Sequence, residues 1–264
     1  MGRSLPMRAT CVLFALAVAT IAFPIQPTPK VVRPFLVYYG GFPAHGGPAL
    51  ARQLAARFRG YPVVVFGWAL RRPALAARVR AALPHTRFYG YVDTGHVRMA
   101  QVVEELAALR RLRFAGALLD DVGSGLSAHQ AALQAIVDAA YHDHLHVLLN
   151  SFDPAPVAAL RLRPAQTAVL CEDWVFSDGA WHAPRPEAAY ATLFRLEARG
   201  VAVFMIVTAA RAPVQAAAVA AGVRATVYRE YGGYLSVSGP YYSAQSNAIF
   251  PVGRLRAMLA AISF

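Results

Sequence analysis

The sequence predicts an α/β fold, a single (β/α)8 barrel of the TIM type, and three observations support this prediction. From Lys30 onward, short β-branched or aromatic apolar runs alternate with Ala-, Arg- and Leu-rich amphipathic stretches, and the cycle occurs eight times. The apolar runs are continuous, as expected for parallel strands that are buried on both faces. Eight such units within about 230 residues match the size of a closed barrel.

The predicted strands are the apolar runs that end in loops. They are Phe35–Tyr39, Pro62–Trp68, Arg87–Val92, Phe114–Asp120, His146–Ser151, Ala168–Trp174, Val201–Thr208 and Ala225–Glu230. Several predicted helices have proline in the first turn, where a missing N–H costs nothing. They are Pro48–Arg59, Pro73–Leu83, Arg98–Leu112, Ala128–Asp143, Pro154–Leu160, Pro186–Arg199, Pro213–Ala221 and Val252–Ile262.

A doubly wound open sheet is the structural alternative. Its usual ligand is a dinucleotide held by a glycine-rich turn after the first strand. The corresponding segment, Tyr39-Gly40-Gly41-Phe42, lacks the third spaced glycine of that turn. The sequence therefore favours the barrel, and no cofactor is expected.

The amino terminus has the pattern of a secretory signal peptide. Arg3 and Arg8 precede an apolar stretch from Cys11 to Ala22, which is too short to span a bilayer comfortably. An uncleaved anchor is the alternative. We expect a secreted or periplasmic protein without a stable membrane span after cleavage, divided into a signal peptide (1–22), a short leader (23–33) and a barrel domain (34–264).

The charge of the chain is strongly basic. It has 26 Lys and Arg residues against 14 Asp and Glu, a formal net charge of +12. The arginines are spread over several predicted helices, which favours a solvated basic surface over a patch for nucleic acid. Signal cleavage would leave Cys171 as the single thiol, so no intrachain disulfide is expected. The expected state is a monomer.

Polar residues end most of the predicted strands. Barrels of this kind build their active sites at the carboxyl ends of the strands. A carboxylate buried there without a partner costs several kcal/mol, so packing does not explain the acids. For Asp93 and Asp173, helix capping is an equal alternative. The strand ends are Tyr38-Tyr39, Trp68, Asp93-Thr94, Asp120-Asp121, Asn150-Ser151, Glu172-Asp173-Trp174 and Arg229-Glu230.

Asp120 and Glu172 end strands that are two apart in the predicted barrel. Their backbones should lie about 9–10 Å apart, and inward side chains can reduce that to the ~5–6 Å of a retaining glycosidase pair. A wider gap would admit water and indicate inversion, so both outcomes remain open. Asp120 and Asp121 point to opposite faces of a strand, and we expect one of them to be catalytic and the other orienting.

Aromatic residues near the strand ends predict a sugar-binding groove, since flat rings with polar tips suit sugars. Some of these rings are expected only to cover the barrel. His142, His144 and His146 alternate before the fifth strand, but at the opposite end, so no metal site is expected. The aromatic residues are Tyr38, Tyr39, Trp68, Trp174 and Trp181 at or after strand ends, with Tyr231, Tyr234, Tyr241 and Tyr242 in the loop after the eighth strand.

Two segments resemble the spherulin 4-like family of barrel glycoside hydrolases, which is related to the endo-α-1,4-polygalactosaminidases. They are Phe88-Tyr89-Gly90-Tyr91-Val92-Asp93-Thr94-Gly95 and Gly116-Ala117-Leu118-Leu119-Asp120-Asp121, and the resemblance extends over the whole mature chain. Family members carry an Asp-Glu pair after the fourth strand and a Glu on a later strand. Glu172 matches the later Glu, whereas Asp121 stands where the family usually has Glu.

The resemblance implies endo-hydrolysis of a galactosamine-containing, partly N-acetylated exopolysaccharide by carboxylates, without a metal. Asp120 as nucleophile and Glu172 as acid/base is our hypothesis, with Asp121 as the third catalytic candidate. Predicted contacts to the polysaccharide come from Tyr38, Tyr39, Trp68, Asp93, Asn150, Trp174 and Tyr234.

Two other functions are compatible with the sequence. The segment Leu119-Asp120-Asp121-Val122-Gly123 resembles the Asp-Asp motif of metal-dependent polysaccharide deacetylases, but no strand-end loop supplies their two histidines. A non-catalytic sugar-binding barrel for exopolysaccharide export or assembly is the second alternative, because Asp121 departs from the family pattern.

Overall fold

The computed structural model describes residues 33–40, 47–172, 174, 176–177, 180–181, 185–207, 233–237 and 252–261. Within these ranges nine strands form one sheet, and every neighbouring pair is parallel. They are β1 (Arg33–Pro34), β2 (Leu36–Tyr38), β3 (Val63–Phe66), β4 (Arg87–Asp93), β5 (Gly116–Asp120), β6 (His146–Asn150), β7 (Thr167–Cys171), β10 (Ala202–Val207) and β11 (Gly233–Val237).

The sheet closes on itself through its first strand. β1 and β2 are two halves of one strand, interrupted only at Phe35. The first half pairs with β11, and Phe35 continues that ladder by donating its N–H to Leu235 O at 3.1 Å. The second half pairs with β3. Because β1 and β2 count as one strand, the nine strands form an eight-stranded barrel, as the sequence predicts.

Helices follow the strands and cover the outside of the barrel. They are α1 (Pro48–Phe58), α2 (Pro73–Ala82), α3 (Met99–Arg111), α4 (Gln130–His142), α5 (Ala155–Ala158), α6 (Glu187–Ala198) and α7 (Val252–Ala261). Proline opens α1 and α2, where its fixed φ suits the first turn. After β7 the chain also forms a short antiparallel hairpin of β8 (Phe176–Ser177) and β9 (Ala180–Trp181).

The core has two layers, because successive residues of a strand point to opposite faces. The outer layer packs strands against helices and includes Leu36, Tyr38, Leu119 and Leu149. The inner layer fills the barrel, and its members are Phe35, Val37, Val63, Val65, Tyr89, Leu118, Leu148, Ala168, Leu170, Phe204, Ile206 and Tyr234. This alternation fixes which strand-end residues can enter the barrel mouth.

The first seven predicted strands are confirmed, with ends that differ by no more than three residues. The prediction of the eighth strand is wrong. The strand that pairs with β10 and β1 is Gly233–Val237, which the sequence analysis assigned to a loop. The predicted strand Ala225–Glu230 and the predicted helix Pro213–Ala221 lie outside the described residues. The other predicted helices coincide with observed ones.

The proposed signal peptide also lies outside the described residues. Among the helices of the described ranges, none combines the length and apolarity needed to cross a membrane.

Candidate active site

The site lies at the carboxyl ends of the strands, where the register of the sheet brings acids together. Asp93 of β4 is paired with Asp120 of β5. Thr94 is fully buried and donates both its N–H, at 3.1 Å, and its hydroxyl, at 2.5 Å, to Asp120 O. The two strand ends are thus held side by side.

Asn150 joins the two principal acids. Its Nδ2 donates to Asp120 Oδ1 and to Glu172 Oε2, each at 2.6 Å. Asn150 is buried, and among the described residues its Oδ1 has no hydrogen-bond partner. Asp120, Asn150 and Glu172 share the inward parity of the residues two positions before them, Leu118, Leu148 and Leu170. Strand periodicity therefore directs all three side chains into the mouth.

Two tyrosines complete the inner wall. Tyr91 makes a side-chain hydrogen bond with Asp120, and burial together with the charge of Asp120 raises the pKa of its hydroxyl. Burial and the charges of Asp120 and Glu172 likewise raise the pKa of Tyr39 well above its usual value. The two rings meet edge to face, with centroids 5.5 Å apart. Both hydroxyls therefore stay protonated and can act as donors.

Gly67 makes room for Tyr39. A Cβ at position 67 would lie 2.0 Å from Tyr39 Cδ1, which is closer than atoms can approach. The next residue, Trp68, donates its indole N–H to Tyr39 O at 2.7 Å, and the guanidinium of Arg71 lies 4.5 Å from the centre of the indole ring. Trp68 thus supports the backbone of Tyr39 at the end of β2.

Asp121 follows β5 in a left-handed conformation, with φ at 56°. This conformation is uncommon for residues other than glycine, although Asp tolerates it better than most. Ser127 stabilises the turn, because its hydroxyl donates to Asp121 O at 2.8 Å. Burial, followed by the charge of Asp120, raises the pKa of the Asp121 carboxyl, while His96 acts in the opposite direction.

Asp93 is oriented by the loop after β4. Its Oδ1 accepts the backbone N–H groups of Gly95, at 2.8 Å, and His96, at 2.9 Å. The imidazole Nδ1 of His96 lies 3.3 Å from Asp93 Oδ2 and 3.3 Å from Asp121 Oδ2. Asp93 therefore lies at the barrel mouth beside Asp120 and Asp121.

Three predicted substrate contacts lie elsewhere, and the reasons are geometric. Tyr38 has outward parity and packs edge to face on Phe58 of α1, with centroids 5.1 Å apart. Trp174 is buried in the outer layer against Tyr190 of α6. Tyr234 sits in β11 at the amino-terminal end of the barrel, where it accepts a 2.6 Å hydrogen bond from Arg87, the first residue of β4.

Two residues near the carboxylates were missed by sequence reasoning. Tyr91 shares the parity of Asp93, so counting back two positions along β4 identifies it as inward-facing. His96 lies in a loop, where periodicity carries no information. The predicted strand ends Asp173 and Arg229-Glu230, and the tyrosines at 231, 241 and 242, lie outside the described residues.

Comparison with known proteins gives a fold but no family: no protein-family model and no curated protein matches the sequence. The glycoside hydrolase domain of PelA from Pseudomonas aeruginosa is similar in structure, with a TM-score of 0.58, 16% identity and coverage of 82% of this chain and 97% of that chain. The GH113 β-mannanase AaManA from Alicyclobacillus acidocaldarius is also similar in structure, with a TM-score of 0.56 and 12% identity. The match covers 90% of this chain and 99% of that chain.

Barrel enzymes of other chemistry are similar as well. The 3-keto-L-gulonate-6-phosphate decarboxylase from Vibrio cholerae has a TM-score of 0.52 and 10% identity, and the match covers 89% of this chain and 100% of that chain. At these identities the similarity establishes the fold alone. The chain is a TIM-type barrel of the kind that glycoside hydrolase domains use, and its function must be argued from the site.

Proposed function

We propose that this chain is an exported, endo-acting glycoside hydrolase of the spherulin 4-like type, in which Asp120 and Glu172 form the catalytic pair. The observation that carries the proposal is the single Asn150 nitrogen 2.6 Å from an oxygen of each acid. Two carboxyl groups held together at the carboxyl end of a barrel are the machinery of glycosidic cleavage.

The same distances support a retaining mechanism. Because both oxygens bond to one nitrogen, they can be no farther apart than twice that bond length. This upper limit is compatible with the roughly 5–5.5 Å separation of retaining enzymes and lies below the roughly 6.5–9.5 Å that inversion needs for an intervening water. Release of product with the anomeric configuration of the substrate is the corresponding expectation.

We assign Asp120 as the nucleophile because Tyr91 and Asn150 hold its carboxylate from two sides. Glu172 follows the last residue of β7 and is one methylene longer, which suits a group that must reach the leaving oxygen. In the first step, an Asp120 oxygen bonds to the anomeric carbon, the glycosidic C–O bond breaks, and Glu172 gives its proton to the leaving oxygen. Glu172 then takes a proton from water, which attacks the same carbon and releases Asp120.

The charge of the mouth supports an amino-sugar substrate. Asp93, Asp120, Asp121 and Glu172 surround it, and among the described residues the imidazole of His96 is the basic group in contact with two of them. Carboxylates at this density favour a cationic ligand. Partly de-N-acetylated polygalactosamine combines ammonium groups with acetamido groups and is the polymer we propose.

The proposal is tested by the chain length of the polymer after incubation. Asp120→Asn and Glu172→Gln should each abolish shortening of polygalactosamine, whereas Asp138→Asn, an exposed acid on α4, should leave it unchanged. Azide should restore activity to Asp120→Gly by forming a glycosyl azide. Intact cleavage by the Asp120 and Glu172 variants would show that the site is assigned wrongly.

A substrate panel with and without chelator separates the alternatives. Chain shortening that is insensitive to chelator supports the hydrolase, since neither proposed step uses a metal. Acetate release that chelator abolishes would instead indicate a deacetylase. Binding without any product would indicate a sugar-binding barrel.

A further inference from the structure

A histidine and two carboxylates converge at the rim of the barrel mouth, beside the catalytic pair. His96 Nδ1 lies 3.3 Å from Asp93 Oδ2 and 3.3 Å from Asp121 Oδ2. One ligand atom from each of the three residues can be chosen so that all lie within 4.8 Å of one another. Neither Asp120 nor Glu172 belongs to this set.

The spacing of these atoms fits a metal ion as well as a long hydrogen bond. His96 Nδ1 also lies 3.3 Å from Asp93 Oδ1, within hydrogen-bond reach, but every imidazole–carboxylate distance exceeds the about 2.7–2.9 Å of a charge-assisted N–H···O bond. Around a tetrahedral Zn²⁺ with bonds of about 2.0–2.2 Å, neighbouring ligand atoms lie about 3.4 Å apart. One imidazole and two carboxylates are ligands that Zn²⁺ accepts.

The donor groups are fixed before any ion arrives. The backbone N–H groups of Gly95 and His96 both donate to Asp93 Oδ1, which fixes the carboxylate with each of its oxygens 3.3 Å from the imidazole Nδ1. Hydrogen bonds of this kind orient metal-binding carboxylates. The left-handed backbone at residue 121 turns the second carboxylate toward the same point.

Two glycines allow the loops to meet. A Cβ on Gly95 would lie 2.9 Å from Asp121 Cβ, and a Cβ on Gly125 would lie 1.8 Å from Gly95 O. The loops after β4 and β5 can approach only because both positions lack a side chain. This close approach sets the distance between the carboxylate of Asp121 and the imidazole of His96.

We propose that Asp93, His96 and Asp121 form a site for a divalent transition-metal ion of the Zn²⁺ type. Three protein ligands leave at least one coordination position for water or for an oxygen of a bound sugar. The side chain of His96 is 74% exposed, so an ion can enter from solvent. Because Asp120 and Glu172 remain free of the ion, cleavage continues without it, and the site is tested as a binding site independently of hydrolysis.

The experiment is a calorimetric titration of the full chain, stripped with chelator, with Zn²⁺. One equivalent should bind, and His96→Ala and Asp121→Asn should each weaken binding at least tenfold. His142→Ala is the matched control, because His142 Nδ1 lies 3.6 Å from Asp143 Oδ1 and, within the described residues, no second carboxylate forms an ion pair with it. Its affinity should equal that of the unmodified chain.

The visible absorption of bound Co²⁺ gives a second measure of binding that is independent of calorimetry. An ion bound by one imidazole and two carboxylates should develop the intense visible absorption of four-coordinate cobalt, and His96→Ala should remove it. Unchanged melting temperatures of the variants without metal exclude unfolding as the cause. Absence of a stoichiometric site, or equal affinity in His96→Ala, would overturn the proposal.

Discussion

Gly67 lies directly against the ring of Tyr39, at a distance that leaves no space for even one methyl group. The missing side chain directly after β3 leaves a gap at the barrel mouth, and the ring of Tyr39, directly after the neighbouring β2, fills it. The charges that raise the pKa of Tyr39 come from Asp120 and Glu172. The absence of a side chain at position 67 therefore sets the position of the Tyr39 ring beside the acids of the candidate active site.

Substitution of Gly67 by Ala should displace that ring. A Cβ 2.0 Å from Cδ1 forces Tyr39 out of this gap, so we expect a lower melting temperature and at least a tenfold loss of kcat/KM on polygalactosamine. Gly47→Ala is the control, because a Cβ there meets nothing within 4 Å. Equal activity of the two variants would mean that Tyr39 has no role in cleavage.

Asn150→Ala should separate the two proposed catalytic acids, Asp120 and Glu172. Loss of the shared donor leaves two half-buried carboxylate oxygens without this partner, which destabilises the fold by about 1–3 kcal/mol. Misplacement of reacting groups by about 1 Å can reduce kcat on the order of a hundredfold. Gln101→Ala removes a comparable amide–carboxylate contact, with Glu105, from the exposed surface of α3 and should change neither quantity. Full activity of Asn150→Ala would contradict the role of the bridge.

Tyr91→Phe and Tyr234→Phe should differ in their effect on kcat/KM, because the two hydroxyls lie at opposite ends of the barrel. Tyr91 bonds to Asp120, and a hydrogen bond to a charged group contributes about 1.5–3 kcal/mol, or roughly a ten- to hundredfold change in kcat/KM. Tyr234 bonds to Arg87, so its substitution should leave kcat/KM within about twofold. Steady-state kinetics on one polymer preparation measure kcat/KM for both variants. A large loss of kcat/KM in Tyr234→Phe would indicate that Tyr234 belongs to the active site.

His146, the first residue of β6, should make the fold sensitive to mild acid. Burial, and then the charge of Arg87, lower the pKa of its imidazole below the ordinary 6.5. The unfolded chain therefore binds the proton more tightly than the folded chain, and stability falls as the pH drops through 6.5 toward the lower folded pKa. Urea midpoints between about pH 7.5 and pH 5 should fall less steeply in His146→Gln than in the unmodified chain. His85→Gln, at an exposed turn, should retain the original slope.

Cys171 should resist thiol reagents while the barrel is folded. Its side chain is fully buried beneath the end of β7, and burial raises the pKa of the thiol. The thiolate is the reactive form, so native protein at neutral pH should yield no labelled peptide containing Cys171. The same peptide should label rapidly in denaturant, and rapid native labelling would contradict this packing.

Seven strands of the barrel could be predicted because a strand buried on both faces appears in the sequence as a continuous apolar run. The eighth could not, because Ala225–Glu230 and Gly233–Val237 are both short runs with β-branched or aromatic residues. The choice between the two segments is decided by Tyr234, which pairs with Phe204 on one side and with Arg33 on the other. These partners are distant in sequence, and periodicity carries no information about them. The misplacement of Tyr234 follows from that error.

The site was predictable to the extent that strand parity governs it. Parity and the two-strand separation bring Asp120 and Glu172 into one mouth, and the same counting would have removed Tyr38 in favour of Tyr39. The shared bond to Asn150 depends on side-chain rotamers, which a sequence pattern does not specify. His96 was missed because its position depends on the loop after β4 and on the left-handed turn at Asp121.

The pairing of the divided first strand with β11 also determines when the molecule can be completed during synthesis. Arg33 pairs with Tyr234, some two hundred residues later, and this is the seam of the barrel. At about 5–20 residues per second, translation of that span takes on the order of 10–40 s. During this interval the edge of the growing sheet remains without its partner, and open edges invite pairing with other chains. The nascent chain is therefore most exposed to edge-to-edge aggregation before residues 233–237 have emerged and paired with the first strand.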